Sequence, residues 1–141
     1  GTPQGKADAA ARLGNLSFFN VDRAATIFAA GAVPPLIALL QDGTDEGKSS
    51  ATAVLGYLSY SYRFNDDRAA AVIAAGALPP LIGLLREGTA QGKDKAAQAL
   101  MTIGSDAVNR IATAAAGAIP LLIALLRDGA EPWKYTAASA L

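Results

Sequence analysis

The stretch that decides the fold runs from Gly31 to Lys48 and reads GAVPPLIALLQDGTDEGK. It returns from Gly76 as GALPPLIGLLREGTAQGK and from Gly117 as GAIPLLIALLRDGAEPWK. These copies begin 45 and 41 residues apart, and the closing phrase occurs once more as GTPQGK from Gly1. A period in the low forties is typical of helical solenoids, in which each copy forms one layer of a stack.

Each period predicts three helices, of which the first is short and precedes the glycine. Its copies read VDRAATIFAA, NDDRAAAVIAA and NRIATAAA. Gly31, Gly76 and Gly117 are expected to end these helices, because glycine readily adopts the left-handed conformation that stops a helix.

The second helix is predicted to begin at Pro34, Pro79 and Pro120, because a proline at the first helical position loses no hydrogen bond. It is expected to end at Gly43, Gly88 and Gly129. Its apolar residues recur at i, i+3, i+4 and i+7, which is one face of an α-helix. The three stripes are Val33, Leu36, Ile37 and Leu40; Leu78, Leu81, Ile82 and Leu85; and Ile119, Leu122, Ile123 and Leu126.

The third helix is predicted from about Lys48 to Tyr60 and from about Lys93 to Gly104. Its core face is rich in alanine, which lets helices of adjacent repeats approach closely. The predicted core residues are Ala9, Leu13 and Leu16; Ala51, Val54, Leu55 and Leu58; Ala96, Ala99, Leu100 and Ile103; and Ala137, Ala140 and Leu141.

The fold class is therefore predicted to be all-α, a solenoid of three-helix repeats. We expect a partial repeat over residues 1–20 that holds only a third helix. Two repeats follow over 21–63 and 64–105, and a truncated one over 106–141. The pattern opens and stops within a repeat, so we expect the chain to be a segment of a longer protein.

Composition excludes several classes of function. Apolar residues make up 52% of the chain and charged residues 17%, which indicates a globular protein. Twelve basic and twelve acidic residues cancel, so nucleic acid is an unlikely partner. No apolar run is long enough to span a bilayer. The chain lacks cysteine, and we expect a cytoplasmic or nuclear location.

Catalysis is not expected. The chain has neither histidine nor cysteine, which removes the usual nucleophilic triads and zinc ligands. The phrase GTDEGK from Gly43 is one residue too short for a phosphate-binding loop and follows a predicted helical segment. We therefore predict no enzyme activity, no cofactor, no metal and no small-molecule substrate.

The sequence resembles the armadillo repeat family. The matching residues are Asn109 and Arg110 before a first helix, AAGAxPxLIxLL across the second, and GKxxAxxxL in the third. The resemblance covers essentially the whole chain. It implies a right-handed superhelix with a concave groove, lined by the third helices, that binds extended peptides or partner proteins.

In peptide-binding members of the family, the third helix carries a tryptophan and, four residues later, an asparagine. The asparagine positions correspond here to Asn15, Tyr57 and Thr102, and only Asn15 matches. The tryptophan positions are filled by Ala11, Ala53 and Gln98.

The predicted function is a protein–protein interaction scaffold that binds a partner along this groove. The alternative is a regulatory or substrate-recruiting segment of a larger enzyme, such as an armadillo-repeat ubiquitin ligase; a structural spacer is a further alternative. The predicted groove residues are Asp8, Ala11, Asn15, Ser50, Ala53, Tyr57, Lys95, Gln98 and Thr102.

Aromatic residues gather near the ends of the first two third helices. Phe18 and Tyr60 occupy equivalent repeat positions, which favours packing between repeats. For Tyr57, core packing and partner contact are both open. Phe19, Tyr62, Phe64 and Trp133 are the other aromatic candidates.

The lysine of each closing phrase recurs at every layer, as Lys6, Lys48, Lys93 and Lys134. These lysines could form a basic edge for an acidic partner or for nucleic acid. The interpretation we favour is that their alkyl stems cover apolar surface while the ammonium groups stay solvated. Because the terminal layers lack polar caps, we also expect end-to-end self-association through exposed apolar surface.

Overall fold

The structure is a computed structural model that describes residues 1–18, 20–61 and 67–128. Within these ranges every regular element is an α-helix and there are no strands. The described helices are α1 (Pro3–Ser17), α2 (Val21–Ala29), α3 (Val33–Asp42), α4 (Asp45–Ser59), α5 (Arg68–Ala74), α6 (Leu78–Glu87), α7 (Ala90–Ile103), α8 (Ala107–Ala115) and α9 (Ala118–Asp128). The all-α prediction is confirmed; the repeat boundaries at 20, 63 and 105 stay a prediction.

The first and second helices of each layer meet at a sharp bend. The angles are 87° for α2 and α3, 81° for α5 and α6, and 80° for α8 and α9. Gly31, Gly76 and Gly117 lie at these bends with φ of 85°, 94° and 96°, as predicted. Over the described ranges no single helix is long and apolar enough to cross a membrane, although the three bent pairs would pass on length and composition.

The core lies between the second and third helices. The third helices α1, α4 and α7 lie side by side, with α3 packed on α4 and α6 on α7. The stripes predicted for α3 and α6 are confirmed, because all eight residues are buried. In α9, Leu122 is buried, whereas Ile119 and Ile123 are 44% and 37% exposed. The predicted core residues Ala137, Ala140 and Leu141 lie outside the described ranges, as do Lys134 and Gly129.

A threonine explains the repeated closing phrase. In each of three copies its hydroxyl caps a third helix by accepting a hydrogen bond from the backbone N–H of a glycine three residues later. The pairs are Gly5 to Thr2 at 3.0 Å, Gly47 to Thr44 at 3.1 Å and Gly92 to Thr89 at 3.1 Å.

The predicted start of the third helix is therefore wrong by three residues. The helices α4 and α7 begin at Asp45 and Ala90, not at Lys48 and Lys93, because the cap turns the phrase itself into the first helical turn. They end at Ser59 and Ile103, one residue before the predicted ends.

The prolines are also displaced from their predicted position. Val33 and Leu78 are the first residues of α3 and α6, so Pro34 and Pro79 stand second, and Pro120 stands third in α9. This costs nothing, because the first four N–H groups of a helix have no intrahelical acceptor.

The core face predicted for α1 is wrong in part. Ala9 is exposed, Leu16 is 48% exposed, and only Leu13 packs partly against the core. The buried residues of α1 are instead Ala7, Ala10 and Ser17. In α4, the residues equivalent to Ala9, Leu13 and Leu16 are completely buried. They are Ala51, Leu55 and Leu58. The difference arises because α3 covers α4 on that side, whereas this side of α1 faces the open groove between α1 and α3.

Asn109 and Arg110, which carry part of the family resemblance, lie inside α8 and not before it as predicted, because Asp106 caps the helix three residues before Asn109. Asn109 is buried, and its side-chain amide donates hydrogen bonds to the carboxylates of Asp106 and, at 3.3 Å, Asp67. The Arg110 guanidinium donates to the Gly104 carbonyl oxygen at 3.3 Å. These two side chains therefore join the first helix of one layer to the layer before it.

Candidate functional site

The predicted groove residues all lie at the surface of the three third helices, which we call the third-helix face. Asp8 and Asn15 are exposed. The remaining seven are half-buried: Ala11, Ser50, Ala53, Tyr57, Lys95, Gln98 and Thr102. None is buried in the core. Their role in binding stays a prediction, and two cavities on the third-helix face show how they are brought together.

The first of these cavities, the central cavity, has a volume of about 510 Å³ and spans α1, α4 and α7. Six predicted residues line it: Ala11, Asn15, Ser50, Ala53, Tyr57 and Lys95. The sequence prediction missed its other lining residues, which are Gly14, Phe18, Glu46, Ser49 and Gln91. Glu46 and Gln91 lie in the first turns of α4 and α7. The prediction missed them because it started both helices three residues too late.

The second cavity, the aromatic cavity, has a volume of about 770 Å³ and lies toward the C-terminal ends of the third helices. Four predicted residues line it: Tyr57, Lys95, Gln98 and Thr102. Phe18, Tyr60 and Met101 supply large apolar side chains that the prediction did not place there. Both volumes fall within the range of about 300–1,000 Å³ that is usual for ligand sites.

Phe18, Tyr57 and Lys95 line both cavities, and each comes from a different layer. The rings of Phe18 and Tyr57 are tilted by 57° with centroids 5.3 Å apart, which is the geometry of a favourable aromatic pair. Burial raises the pKa of the Tyr57 hydroxyl above its ordinary value, so this group is neutral at physiological pH.

The prediction that Phe18 and Tyr60 pack between repeats needs correction. Phe18 does contact Tyr57 of the next layer, but it is 51% exposed, and Tyr60 is 54% exposed. Both residues are C-caps with extended backbone, so their side chains leave the helix beyond its last turn. The other predicted aromatics, Phe19, Tyr62, Phe64 and Trp133, lie outside the described residues.

Glutamine side chains engage the carboxylates of this face. Gln4 donates to Asp8 at 3.0 Å and to Glu46 at 3.4 Å, which links α1 to α4. Gln98 donates to Asp94 at 2.8 Å. Asp8 therefore stands beside Gln4, and it lines neither cavity.

The two cavities bring together side chains that suit contact with a ligand. In the part of the chain that the structure describes, no three side chains of the metal-ligating types come close enough to hold a metal ion. The two cavities offer an aromatic wall, one lysine, the carboxylate of Glu46 in the central cavity, and polar groups that include those of Asn15, Gln98 and Thr102.

Comparison with known proteins identifies the architecture. A family model described as an Armadillo/beta-catenin-like repeat matches residues 20–60. A solved structure of computationally designed armadillo repeat proteins for modular peptide recognition is 27% identical, with a TM-score of 0.86 over 97% of this chain and 57% of that one. The chain therefore has the fold of an armadillo-type solenoid.

Two further solved structures agree with this. A designed armadillo repeat protein in complex with the peptide (KR)4 is 27% identical, with a TM-score of 0.85 over 94% of this chain and 55% of that one. An engineered protein is 28% identical, with a TM-score of 0.88 over 97% of this chain and 56% of that one. The chain thus spans about half the length of these armadillo and engineered structures. No curated protein matches the sequence.

Proposed function

We propose that this armadillo repeat chain is a scaffold that binds an extended peptide, or an extended segment of a protein, along the third-helix face. One observation carries the proposal: the central and aromatic cavities share Phe18, Tyr57 and Lys95, so one depression crosses three layers. Adjacent helices lie roughly 8–10 Å apart, so two spacings accommodate about five to six extended residues. The designed armadillo protein in complex with (KR)4 supports this mode of binding.

The scaffold has no chemistry of its own in this proposal. The alternative is that the same face recruits substrates or regulators to an enzyme elsewhere in a longer protein, such as a ubiquitin ligase. In both cases the face acts by contact. The two versions separate when the full-length protein is assayed for an activity that the present chain lacks.

The test is selection of peptides from a displayed random library of eight-residue peptides, followed by fluorescence anisotropy with the selected peptides and with (KR)4. The perturbing variant is Ala53→Arg, which places a long cation in the central cavity. The matched control is Ala38→Arg, the same change on the exposed face of α3, which lines a separate cavity between α1 and α3.

We expect selected peptides to lose at least tenfold in affinity with Ala53→Arg and to bind Ala38→Arg as they bind the unmodified protein. Both variants must keep the far-UV circular dichroism and thermal midpoint of the parent. Failure to select any peptide, or loss of binding only in Ala38→Arg, would overturn the proposal.

A second proposal, self-association through the ends, rests on a different observation. At one end Leu16 is 48% exposed, and a groove of about 400 Å³ between α1 and α3 is lined by Ala9, Leu13 and other apolar residues. At the other end Val108 and Ile111 are 76% and 72% exposed. Contiguous exposed apolar surface is typical of protein contact sites.

Sedimentation velocity over a wide concentration range tests this second proposal. We expect concentration-dependent association of the parent, which weakens in Leu16→Glu and in Ile111→Glu because each change places a charge in one of the two end surfaces. A monomer at every concentration argues against end-to-end contact. Association that neither variant alters argues the same.

A further inference from the structure

The aromatic cavity has chemistry that narrows the partner. Its walls include Phe18, Tyr57, Tyr60 and Met101, which form a broad apolar and aromatic surface. Three of these four side chains are between 39% and 54% exposed. Large aromatic side chains are enriched at the centres of binding sites because they bury much area at low entropic cost.

Lys95 is the single charged residue among the described residues that line this cavity. It is half-buried and forms no ion pair within residues 1–18, 20–61 and 67–128. A cation beside apolar walls, with reduced access to water, favours an anionic ligand group more than a fully solvated lysine does.

The carboxylates of the third-helix face constrain where that anion lies. Asp94 already accepts a hydrogen bond from Gln98, and Glu46 lines only the central cavity, in the first turn of α4. Glu46 and Tyr57 are eleven positions apart in one helix, which is roughly 16 Å along its axis. Lys95 lines both cavities and Glu46 only the central one, so a ligand carboxylate that pairs with Lys95 is repelled least on the aromatic side.

We propose that the aromatic cavity takes an aromatic side chain of an extended peptide, and that a carboxylate one to three residues away in the same peptide pairs with Lys95. The proposal rests on the proposed function and adds the class of partner to it. A peptide fits better than a small aromatic acid because the depression continues past Lys95 into the central cavity, where Asn15 is exposed to a passing backbone.

The probes are four pools of eight-residue peptides in an alanine–glycine host. Each peptide of the first pool carries one tryptophan and one aspartate separated by zero, one or two residues. The second pool replaces aspartate with asparagine, the third replaces it with lysine, and the fourth replaces tryptophan with alanine. Affinities are measured by fluorescence anisotropy at low and high salt.

The protein variants are Lys95→Gln, Phe18→Ala and the control Lys93→Gln. Lys93 lies two residues away in the same helix and lines neither cavity, so its substitution makes the same change in net charge. All variants are checked for the thermal midpoint of the parent before binding is compared.

We expect the tryptophan–aspartate pool to bind about two- to fivefold more tightly than the tryptophan–asparagine pool, as for a partly exposed ion pair. That preference should disappear in Lys95→Gln, remain in Lys93→Gln and shrink at high salt. Phe18→Ala should weaken every tryptophan pool while leaving the ratio between aspartate and asparagine unchanged.

Equal binding of the aspartate, asparagine and lysine pools would overturn this inference, and so would tighter binding of the lysine pool. If none of the four pools binds while the random library yields Ala53-dependent peptides, the inference fails and the proposed function stands. If the library also yields none, the proposed function fails as well. The two failures are thus distinguishable.

Discussion

Gly56 sets how closely the second and third layers approach, and its replacement gives a sharp test of the packing. A Cβ atom added at Gly56 would lie 3.2 Å from the Cα of Ala99 and 3.4 Å from its Cβ. Gly56 belongs to α4 and Ala99 to α7, so the contact joins adjacent third helices. A backbone Cα atom in a helix cannot move away without moving the helix.

Two opposing terms decide the effect of Gly56→Ala on the free energy of unfolding. Alanine gains about 1 kcal/mol over glycine in a helix interior. Overpacking in a close contact costs about 1–3 kcal/mol. The net expectation for Gly56→Ala therefore runs from no change to a destabilisation of about 2 kcal/mol.

Two other glycines supply the controls. A Cβ atom at Gly83 in α6 meets nothing within 4 Å, and one at Gly14 in α1 meets Val54 Cγ2 at 3.5 Å, an ordinary contact distance. Gly83→Ala should therefore stabilise the protein by the full helix-propensity gain of about 1 kcal/mol. Gly14→Ala should fall between the other two.

The assay is urea unfolding followed by far-UV circular dichroism, with the midpoint compared at unchanged slope. The expected order of stability is Gly83→Ala, then Gly14→Ala, then Gly56→Ala. If Gly56→Ala is as stabilising as Gly83→Ala, the helices α4 and α7 are not in the close contact described, and the reasoning is refuted.

Three further predictions concern the bend, the cap and the groove. Gly76→Ala should destabilise the protein by about 1–2 kcal/mol, because φ is 94° there while the added methyl group meets nothing within 4 Å; a urea midpoint that rises, as expected for Gly83→Ala, would contradict this. Thr89→Ala should cost about 1 kcal/mol by removing the cap of α7, while Thr89→Ser should retain most of it; equal urea midpoints for the two variants would argue against the cap. Burial raises the pKa of Tyr57, so the neutral hydroxyl stabilises the fold fully below the unfolded-state pKa of about 10, and this contribution is lost as pH rises through the higher folded-state value. The free energy of unfolding of Tyr57→Phe should therefore fall less than that of the parent between about pH 9 and pH 11. If the urea midpoints of the two proteins fall equally over this range, ionisation of Tyr57 does not affect stability.

The sequence predicts the layers because the same physical signals recur in each copy. The glycine at the bend is confirmed in all three copies, and the leucine stripe of the second helix is confirmed in α3 and α6. The start of the third helix was predictable too, because a threonine before Asp45 or Ala90 is a strong cap signal. A helix start at Lys48 or Lys93 overlooks this cap, because the first helical turn lies before the lysine.

The burial of individual side chains was less predictable than the helices, because burial depends on the position of a copy in the stack. Leu13 and Leu55 occupy equivalent places, yet Leu55 is completely buried and Leu13 only in part. Phe18 and Tyr60 likewise follow the repeat, but their extended cap conformations direct them to the surface. A repeated phrase specifies a local structure, whereas exposure depends on which neighbours the copy has.

The stacking of layers also affects how the molecule melts. Because each layer is stabilised mainly by the layers beside it, helices can detach from one end while the rest stays folded. The helix α1 is partly exposed, whereas α4 is packed against α1, α3 and α7. The amide protons of α1 should therefore exchange with solvent sooner than those of α4. Heating should therefore unfold α1 before the main cooperative transition of the remaining layers, so that helix content begins to fall below the thermal midpoint.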